Sequence, residues 1–302
     1  MQPILITGCT GIGKSLLAIE LAKLEKSKII NADSMQVYSS WNILSSRPSD
    51  YDESEFSHRL YGHVSHDKKY SVGKWIKDVQ QELISDDLRP IIVGGTGLYF
   101  NTLLKGISET PVISKNTREI SNYLIKNNPN IIKNILFKYD FNTFNNIDLK
   151  NLRRVQRAYE LFIETGNGLN FWNSKDLKPI ISLSNCKAFV LNADVNFINK
   201  RIDERFDKMI DLGVIEEVEK VFKIFNDKDL PASKALGAKQ INSFLNKKNT
   251  LNDAINEAKL RTKQYAKKQR TWFRNQFDKW EKVNVTSETD LGILAKKIQA
   301  NF

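Results

Sequence analysis

Short apolar runs rich in β-branched residues alternate with segments of helical apolar spacing in the first hundred residues. The first run, 4–7, leads into a glycine-rich stretch and then into 15–22, where apolar residues recur at helical intervals, so a strand, a loop and a helix are predicted. The same criteria predict three more strands at 28–31, 90–95 and 187–191 and a helix at 75–83. Continuous apolar strands separated by helices indicate an α/β fold with a parallel sheet that is covered on both faces.

Strand signals fade between residues 114 and 186, where Asn, Lys and Ile dominate. Apolar residues recur there at helical spacing, around Ile120, Leu124, Ile131 and Ile135. We therefore predict a first part of the core at 1–113, a helical insertion at 114–186, and the completion of the core with basic C-terminal helices at 187–302. Helices are expected from 196 to 277, with breaks near 226–231 and 246–250.

The charge of the chain is uneven along its length. The 302 residues carry 46 Lys and Arg against 35 Asp and Glu, a net charge of +11. Residues 1–100 hold 11 basic and 12 acidic side chains, so residues 101–302 hold 35 and 23, a net charge of +12. This excess indicates a polyanionic partner, and nucleic acid fits better than a membrane because no apolar stretch approaches the length of a span. A lysine-rich surface that serves only solubility is the alternative.

Two cysteines, Cys9 and Cys186, are too few and too far apart for a disulfide framework or a paired metal or redox site. The start of the chain lacks the basic, apolar and small-residue pattern of a secretory signal. Both features predict a protein of the reducing cytoplasm.

The glycine-rich stretch after the first predicted strand matches the phosphate-loop pattern G-x-x-x-x-G-K-[ST]. Its backbone N–H groups and the following helix N-terminus would face phosphate oxygens, with Lys14 on the terminal phosphate and Ser15 on Mg²⁺. Such a loop is typical of ATP-binding and other nucleotide-binding proteins, and a chance glycine turn is the alternative. The candidate phosphate-binding residues are Gly8, Cys9, Thr10, Gly11, Ile12, Gly13, Lys14 and Ser15.

The ends of two other predicted strands carry polar residues in place of the Asp that nucleotide-hydrolysing enzymes place after an apolar strand. One strand ends in the segment 31–38 with Asp33, and the other ends in the segment 94–99 with Thr96. Open parallel sheets bind ligands at the carboxyl ends of their strands, so Asp33 and Thr96 are expected across from Lys14.

Six segments together resemble the tRNA dimethylallyltransferases, also called tRNA isopentenyltransferases. They occur in the order found in that family and span nearly the whole chain: the phosphate loop 8–15, then 33–38, 94–99, 153–158, 201–206 and 267–273. The resemblance implies a P-loop NTPase-like parallel sheet flanked by helices, with a helical insertion domain and a helical C-terminal region.

The resemblance also implies an activity. Dimethylallyl diphosphate would give its five-carbon group to the exocyclic amine of the adenine on the 3′ side of the anticodon, in tRNAs that read codons beginning with U. Diphosphate is the leaving group, which explains a phosphate loop without hydrolysis machinery. The cofactor would be Mg²⁺, and nothing in the sequence demands more than a monomer.

Four residues are expected to carry the chemistry. Lys14, Mg²⁺ held by Ser15 and an arginine suit a departing diphosphate, and Arg205 matches the arginine that contacts diphosphate in the family. A carboxylate suits the proton of the attacking amine, which favours Asp33. Thr96 resembles the family residue that hydrogen-bonds near the reacting groups. The alternatives are an exposed helix face for Arg205, a cap or turn for Asp33 and a helix cap for Thr96.

Basic residues predict where RNA would lie. The segment 259–274 holds seven basic residues and no acid, and its stripe of Lys259, Lys263, Lys267, Arg270 and Arg274 would track phosphates or form a solvated basic face. The family resemblance implies that the insertion grips the anticodon loop and that residues 33–36 line the pocket for the target base. The candidate tRNA-binding residues are Asp33, Ser34, Met35, Gln36, Thr96, Arg118, Arg153, Arg154, Gln156, Arg157, Lys263, Lys267 and Arg270.

Other functions stay open at this point. A nucleoside or nucleotide kinase would use the same phosphate loop, and a prenyltransferase for free adenine nucleotides would use the same donor. Neither needs the insertion or the basic stripe. An RNA-binding protein that uses a nucleotide only as a switch would not need Asp33 and Thr96 beside the loop.

Overall fold

The structure is a computed structural model that describes residues 1–108, 110–173, 177–225, 230–287 and 289–300. The chain divides into two compact units. Unit 1 comprises Met1–Leu104 and Ile180–Phe302, and unit 2 comprises Lys105–Pro179. Unit 2 is therefore inserted into the sequence of unit 1.

The elements follow one another in three groups. The first group is β1 (Ile4–Gly8), α1 (Lys14–Leu24), β2 (Ser27–Asn31), α2 (Asp50–Glu55), β3 (Ser57–Arg59), α3 (Val72–Ile84), β4 (Arg89–Gly94) and α4 (Gly97–Lys105). The helices of unit 2 are α5 (Lys115–Asn127), α6 (Pro129–Tyr139), α7 (Phe141–Asn146), α8 (Leu152–Thr165) and α9 (Leu169–Asn173). The last group is β5 (Lys187–Asn192), α10 (Val195–Asp211), α11 (Val214–Phe225), α12 (Ala238–Leu245), α13 (Leu251–Gln276), β6 (Glu281–Asn284) and α14 (Thr289–Ala300).

The strands form one parallel sheet in the order β3-β2-β4-β1-β5-β6. Thr7 of β1 lies beside Gly94 of β4, and Asn31 of β2 lies beside Val93 of the same strand. The predicted α/β class, the parallel sheet and the four predicted strands are confirmed. The sequence pattern missed β3 and β6 because these short edge strands are mostly polar.

Side chains that alternate along the strands build a core on each face of the sheet. Ile4 and Ile6 of β1 pack with Leu17 of α1, whereas Leu5 points to the opposite face and packs with Trp75 of α3. These residues are fully buried. The two cores explain why the strands read as continuous apolar runs and not as alternating ones.

The boundaries of unit 2 lie earlier along the chain than the predicted insertion, 114–186. The N–H groups of Ile180 and Ile181 donate to the carbonyl of Leu103, at 2.9 and 3.2 Å, so the chain rejoins α4 before β5 begins. Ile181 and Cys186 are then buried in the core that Trp75 also joins. The apolar contacts of residues 180–186 therefore belong to unit 1.

The helical run expected at 196–277 consists of α10 to α13. The predicted break near 246–250 is confirmed, because α12 ends at Leu245 and α13 begins at Leu251. Residues 226–229 of the other predicted break lie outside the described part of the chain. Among the described residues, none of the helices combines the length and the apolar character that crossing a bilayer requires.

Unit 2 has its own apolar core between α6 and α8. Ile132 and Leu136 of α6 pack against Val155 and Tyr159 of α8, and all four are buried. Beside this core, the carboxylate of the fully buried Glu160 accepts hydrogen bonds from polar side chains of α5 and α8. The helical character predicted for this region is observed.

A single carboxylate holds the turn that follows the segment with Asp33. Glu217 of α11 accepts hydrogen bonds from the backbone N–H groups of Asn42, Ile43 and Leu44, at 2.6, 2.9 and 2.8 Å. Three successive N–H groups on one carboxylate form a charge-assisted anchor. The anchor ties residues 42–44 to α11.

We expect Glu217→Ala to lower the free energy of unfolding by about 2 kcal/mol, because three N–H groups lose a charged acceptor. The matched control is Glu219→Ala on the same helix, since Glu219 forms only an exposed pair with Lys223 and its loss should cost less than about 0.5 kcal/mol. Urea denaturation measures both values. Equal values for the two variants would contradict the anchor.

Candidate active site

The carboxyl ends of β1, β2 and β4 meet at one edge of the sheet. Ala32, after β2, donates its N–H to the carbonyl of Val93 at 2.8 Å, and Thr96, after β4, donates its N–H to the carbonyl of Ala32 at 3.1 Å. A Cβ on Gly94 would lie 2.1 Å from the backbone of Ala32, so only glycine permits this approach. The expected meeting of Asp33 and Thr96 at this edge is observed.

The phosphate loop follows β1 and leads into α1. Gly11 and Gly13 have φ angles of 83° and 102°, in the left-handed region that favours glycine. The ammonium group of Lys14 reaches back across the loop and donates to the carbonyl of Cys9 at 2.9 Å. In the described part of the chain no side chain caps the N-terminus of α1, which suits this end of the helix to an anion.

Two arginines of α10 lie beside the loop. Arg201 donates from Nε to the carbonyl of Gly11 at 2.7 Å. The Nε atom of Arg205 is buried and has no hydrogen-bond partner among the described residues. Burial lowers the pKa of Arg205 and also that of Lys14, and the nearby carboxylate of Asp33 acts in the opposite direction on both. This half-buried site therefore holds more positive charge than Asp33 alone balances, which suits an anionic ligand.

Asp33 uses one carboxylate oxygen in a local turn. Its Oδ1 accepts the N–H of Met35 at 2.8 Å, while its own N–H donates to the side chain of Asn31 at 2.8 Å. The turn role that the sequence left open is therefore present. The other oxygen, Oδ2, would lie 3.3 Å from a Cβ on Gly95 and thus faces the end of β4.

The charge of Asp33 also acts on phenols around it. Burial, followed by the carboxylate of Asp33, raises the pKa values of Tyr61 and Tyr99. Both phenols stay protonated at neutral pH, so they are available as hydrogen-bond donors and not as bases.

Thr96 connects two of the strand ends. Its Oγ1 accepts the N–H of Ser34 at 2.9 Å and lies 3.3 Å from the hydroxyl of the same residue. The carbonyl of Thr96, not its hydroxyl, accepts the N–H of Tyr99 in the first turn of α4. The hydroxyl therefore joins the turns after β2 and β4.

Sequence reasoning missed Gln269 of α13. Its Oε1 accepts the N–H of Thr10 in the phosphate loop at 2.9 Å, and its Nε2 donates to the carbonyl of Gly95 at 2.8 Å. The side chain is buried, in line with Thr262 and Ala266 on the inner face of the helix. An uncharged polar residue at such a buried helical position is the signal that was available in the sequence.

An apolar cavity of about 220 Å³ adjoins Thr96. Trp272 closes one side of it and lies so close to Gly97 that a Cβ there would be 2.0 Å from the ring. The cavity is lined by Gly95, Thr96, Gly97, Leu98, Tyr265, Lys268, Gln269, Trp272 and Phe273. The end of β4 therefore faces cationic groups at the phosphate loop and an aromatic wall on α13.

Comparison with known proteins gives the family. The IPP transferase family model matches residues 36–276, and the isopentenyl transferase family model matches residues 1–68. A tRNA dimethylallyltransferase of Cereibacter sphaeroides (strain ATCC 17025) is 41% identical over 285 residues, which cover 94% of this chain and 96% of the relative. The chain belongs to the tRNA dimethylallyltransferase family. The relative from Ruegeria sp. is 39% identical, with 94% and 96% of the two chains covered.

Solved structures agree with this assignment. The tRNA isopentenylpyrophosphate transferase of Bacillus halodurans has a TM-score of 0.69 and 26% identity, and the match covers 99% of this chain and 96% of that one. A eukaryotic dimethylallyltransferase described as acting on tRNA has a TM-score of 0.80 and 26% identity, with 93% and 73% covered. The chain therefore has the P-loop NTPase-like fold of the tRNA dimethylallyltransferases.

The basic residues predicted to form a stripe on α13 fall into two groups, according to whether they form ion pairs. Lys259 and Lys263 form ion pairs with Asp207 and Asp203 of α10, the latter at 2.7 Å. No carboxylate in the described part of the chain pairs with Lys267, Arg270 or Arg274. The prediction of one continuous stripe is wrong, because its first half packs against the acidic face of α10. Its second half stays available.

The residues predicted to hold tRNA in unit 2 also separate into two groups. Arg118 pairs with the buried Glu160 at 2.7 Å, Gln156 donates to the same carboxylate at 3.0 Å, and Arg157 donates to Thr110 at 2.6 Å. Arg153 and Arg154 are exposed at the start of α8, with no ion pair to any described residue. Among the predicted tRNA-binding residues of unit 2, Arg153 and Arg154 are therefore the exposed ones that form no ion pair with a described residue.

Residues 34–36 are held by hydrogen bonds and by apolar packing. The amide of Gln36 donates to the carbonyls of Ser45 and Ser46, at 3.0 and 2.7 Å. Met35 packs against an apolar cluster of unit 1, and Ser34 is held by Thr96. These side chains build the wall next to Asp33 and keep it in place.

Proposed function

We propose that this enzyme transfers the dimethylallyl group from dimethylallyl diphosphate to the exocyclic amine of the adenine on the 3′ side of the anticodon, in tRNAs that read codons beginning with U. The products are isopentenyladenosine and diphosphate. The observation that carries the proposal is the meeting of a phosphate loop, a carboxylate and a half-buried arginine at one sheet edge. The names of the relatives, which include dimethylallyltransferases of tRNA, support the same reaction.

Lys14 and Arg205 would hold the donor. Both cations are half-buried, and we propose that they contact the diphosphate where its bond to carbon breaks. Charge that develops on the leaving group is stabilised most by such preorganised groups. Arg201 is already bonded to Gly11, so we assign it to shaping the loop.

The magnesium site would be built largely by the substrate. Ser15 is exposed in the first turn of α1, and the described residues contain no cluster of three His, Cys, Asp or Glu side chains that could hold a metal. Mg²⁺ commonly binds through substrate phosphates and water with few protein ligands, so one hydroxyl at the loop fits this metal. When bound, the ion neutralises part of the diphosphate charge.

Asp33 would take the proton of the acceptor. The exocyclic nitrogen forms a bond to the first carbon of the donor, the bond from that carbon to oxygen breaks, and diphosphate leaves with the electron pair. The nitrogen then loses a proton to the free oxygen of Asp33, which faces the end of β4. The N–H of Met35 holds the other oxygen of this carboxylate, and Thr96 accepts the N–H of Ser34, the next residue along the chain.

Unit 2 is the part that we propose grips the anticodon loop. Residues 105–179 carry 12 Lys and Arg and 7 Asp and Glu, a net charge of +5. Of the seven exposed Phe and Tyr side chains of the described chain, five belong to this unit: Tyr123, Phe137, Tyr139, Phe141 and Phe171. Positive charge combined with exposed aromatic rings suits unstacked bases of a single-stranded loop. We further propose that the enzyme works in the cytoplasm as a monomer with no obligate protein partner.

Label transfer tests the proposed reaction. The purified protein is incubated with Mg²⁺, radiolabelled dimethylallyl diphosphate and an unmodified tRNA that reads a UNN codon, with AMP as acceptor in parallel. We expect label in tRNA only. Asp33→Asn should lower kcat by about 10² to 10⁴, because the base is lost, and should leave the Kd for tRNA unchanged. The control is Asp87→Asn, an exposed carboxylate at the end of α3.

Each other distribution of label assigns a different function. Label in AMP alone would make the protein a prenyltransferase for free nucleotides. Label in neither acceptor, combined with phosphate transfer from ATP, would make it a kinase. Normal turnover by Asp33→Asn would remove the carboxylate from the mechanism.

The double variant Arg153→Ala, Arg154→Ala tests the RNA surface. We expect a KM for tRNA that is raised by about tenfold and an unchanged KM for the donor. The slope of the logarithm of tRNA affinity against the logarithm of salt concentration should become shallower by the amount that about two phosphate contacts contribute. Lys77→Ala, an exposed lysine of α3, is the control. Equal tRNA affinities of the double variant and the control would show that RNA does not lie on this end of α8.

A further inference from the structure

One side chain of α13 bridges the two segments that would hold donor and acceptor. The Oε1 atom of Gln269 accepts the N–H of Thr10, after β1, and its Nε2 atom donates to the carbonyl of Gly95, after β4. Both ends of the amide are used, and only 7% of the residue is exposed. A buried amide with both ends paired has one well-defined orientation.

The bridge lies where the two strands stop pairing. Their last paired residues are Thr7 and Gly94. In the described chain, no backbone hydrogen bond joins residues 9–13 to residues 95–97 beyond that point. The amide of Gln269 therefore connects the two segments beyond the end of their pairing, from a position on a helix.

The same amide lies close to the proposed base. A Cβ on Gly95 would be 2.7 Å from Nε2 of Gln269 and 3.3 Å from Oδ2 of Asp33, so both groups lie on the side of this glycine where a side chain would project. Any shift of the phosphate loop relative to Gly95 would therefore change the distance between the donor and Asp33.

We propose that Gln269 is a positioning residue, which sets the spacing between the phosphate loop and the turn after β4 and thereby aligns the donor carbon with the acceptor amine. This inference rests on the proposed function for the identity of donor and acceptor. Gln269 acts through Thr10 and Gly95, which it holds, and not by contact with the reacting atoms.

The role predicts a specific kinetic signature. Lys14 and Arg205 still bind diphosphate when Gln269 is changed, and the exposed basic residues still bind RNA. The reacting atoms are instead less well aligned. A displacement of about 1 Å between them can lower the rate by about 10²-fold. The loss therefore falls on kcat and leaves both KM values in place.

The first test compares Gln269→Met, which has a similar shape and neither hydrogen bond, with Gln276→Met at the exposed end of the same helix. Single-turnover rates are measured with saturating substrates, and the Kd of an unreactive thio analogue of the donor is measured by calorimetry. We expect a rate lower by about 10²-fold and a Kd within about threefold for Gln269→Met. Gln276→Met should match the wild-type protein.

The second test uses Gln269→Glu and keeps the proposal testable if the methionine variant does not fold. As a carboxylate, the new side chain repels the carbonyl of Gly95; when protonated, it donates to that carbonyl and accepts from Thr10 as glutamine does. Burial and the carboxylate of Asp33 raise the pKa of such a carboxyl, whereas Lys14, Arg205 and Arg270 around the loop lower it. The rate of this variant relative to the wild-type protein should therefore rise as the pH falls from about 8 to about 6.

Three outcomes would overturn the inference. A folded Gln269→Met with a lower Tm and an unchanged rate would make the bridge purely structural. A Kd for the analogue that weakens as much as the rate would make Gln269 a binding residue. A relative rate of Gln269→Glu that falls as the pH is lowered would exclude the amide bridge, because the protonated side chain would then serve worse than the carboxylate. Failure of the proposed function is recognised separately, because the wild-type protein itself would then not label tRNA.

Discussion

The parallel pairing of β4 with both β1 and β2 decides where chemistry can occur in this enzyme. Adjacent parallel strands end at the same edge, so the phosphate loop, Asp33 and Thr96 are brought together although they are far apart in sequence. Gly94 makes the approach close enough for hydrogen bonds between the chain segments that follow the strands. The helix α13 then lies across this edge and contacts two of the three segments through Gln269.

Charge connects the phosphate loop with the helix that packs beside it. Lys14 and Arg205 act on each other electrostatically, and the Nε atom of Arg205 has no partner among the described residues. Because like charges repel, an anion that contacts both would stabilise their charged forms. We propose that the diphosphate is this anion.

Sequence patterns predicted what depends on local periodicity and missed what depends on pairing between distant segments. The buried strands have apolar runs and the phosphate loop has its glycines, so both were recognised. The pairing of Lys263 with Asp203 was not visible, because it requires α10 and α13 to lie side by side. The partners of Gln269 come from two other segments, so the burial of this side chain was the only local sign of its role. The polar segments β3 and β6 can be recognised as strands only from their pairing with β2 and β5 in the sheet.

The proposed reaction requires the phosphate loop to bind a prenyl diphosphate and not a nucleoside triphosphate. Isothermal titration calorimetry of the wild-type protein distinguishes the two ligands, with an unreactive thio analogue of dimethylallyl diphosphate in one titration and ATP in another, both with Mg²⁺. We expect saturable binding of one analogue molecule per chain and much weaker binding of ATP. Tighter binding of ATP than of the analogue, accompanied by hydrolysis or transfer of its terminal phosphate, would show that the loop serves a nucleotide-dependent reaction instead.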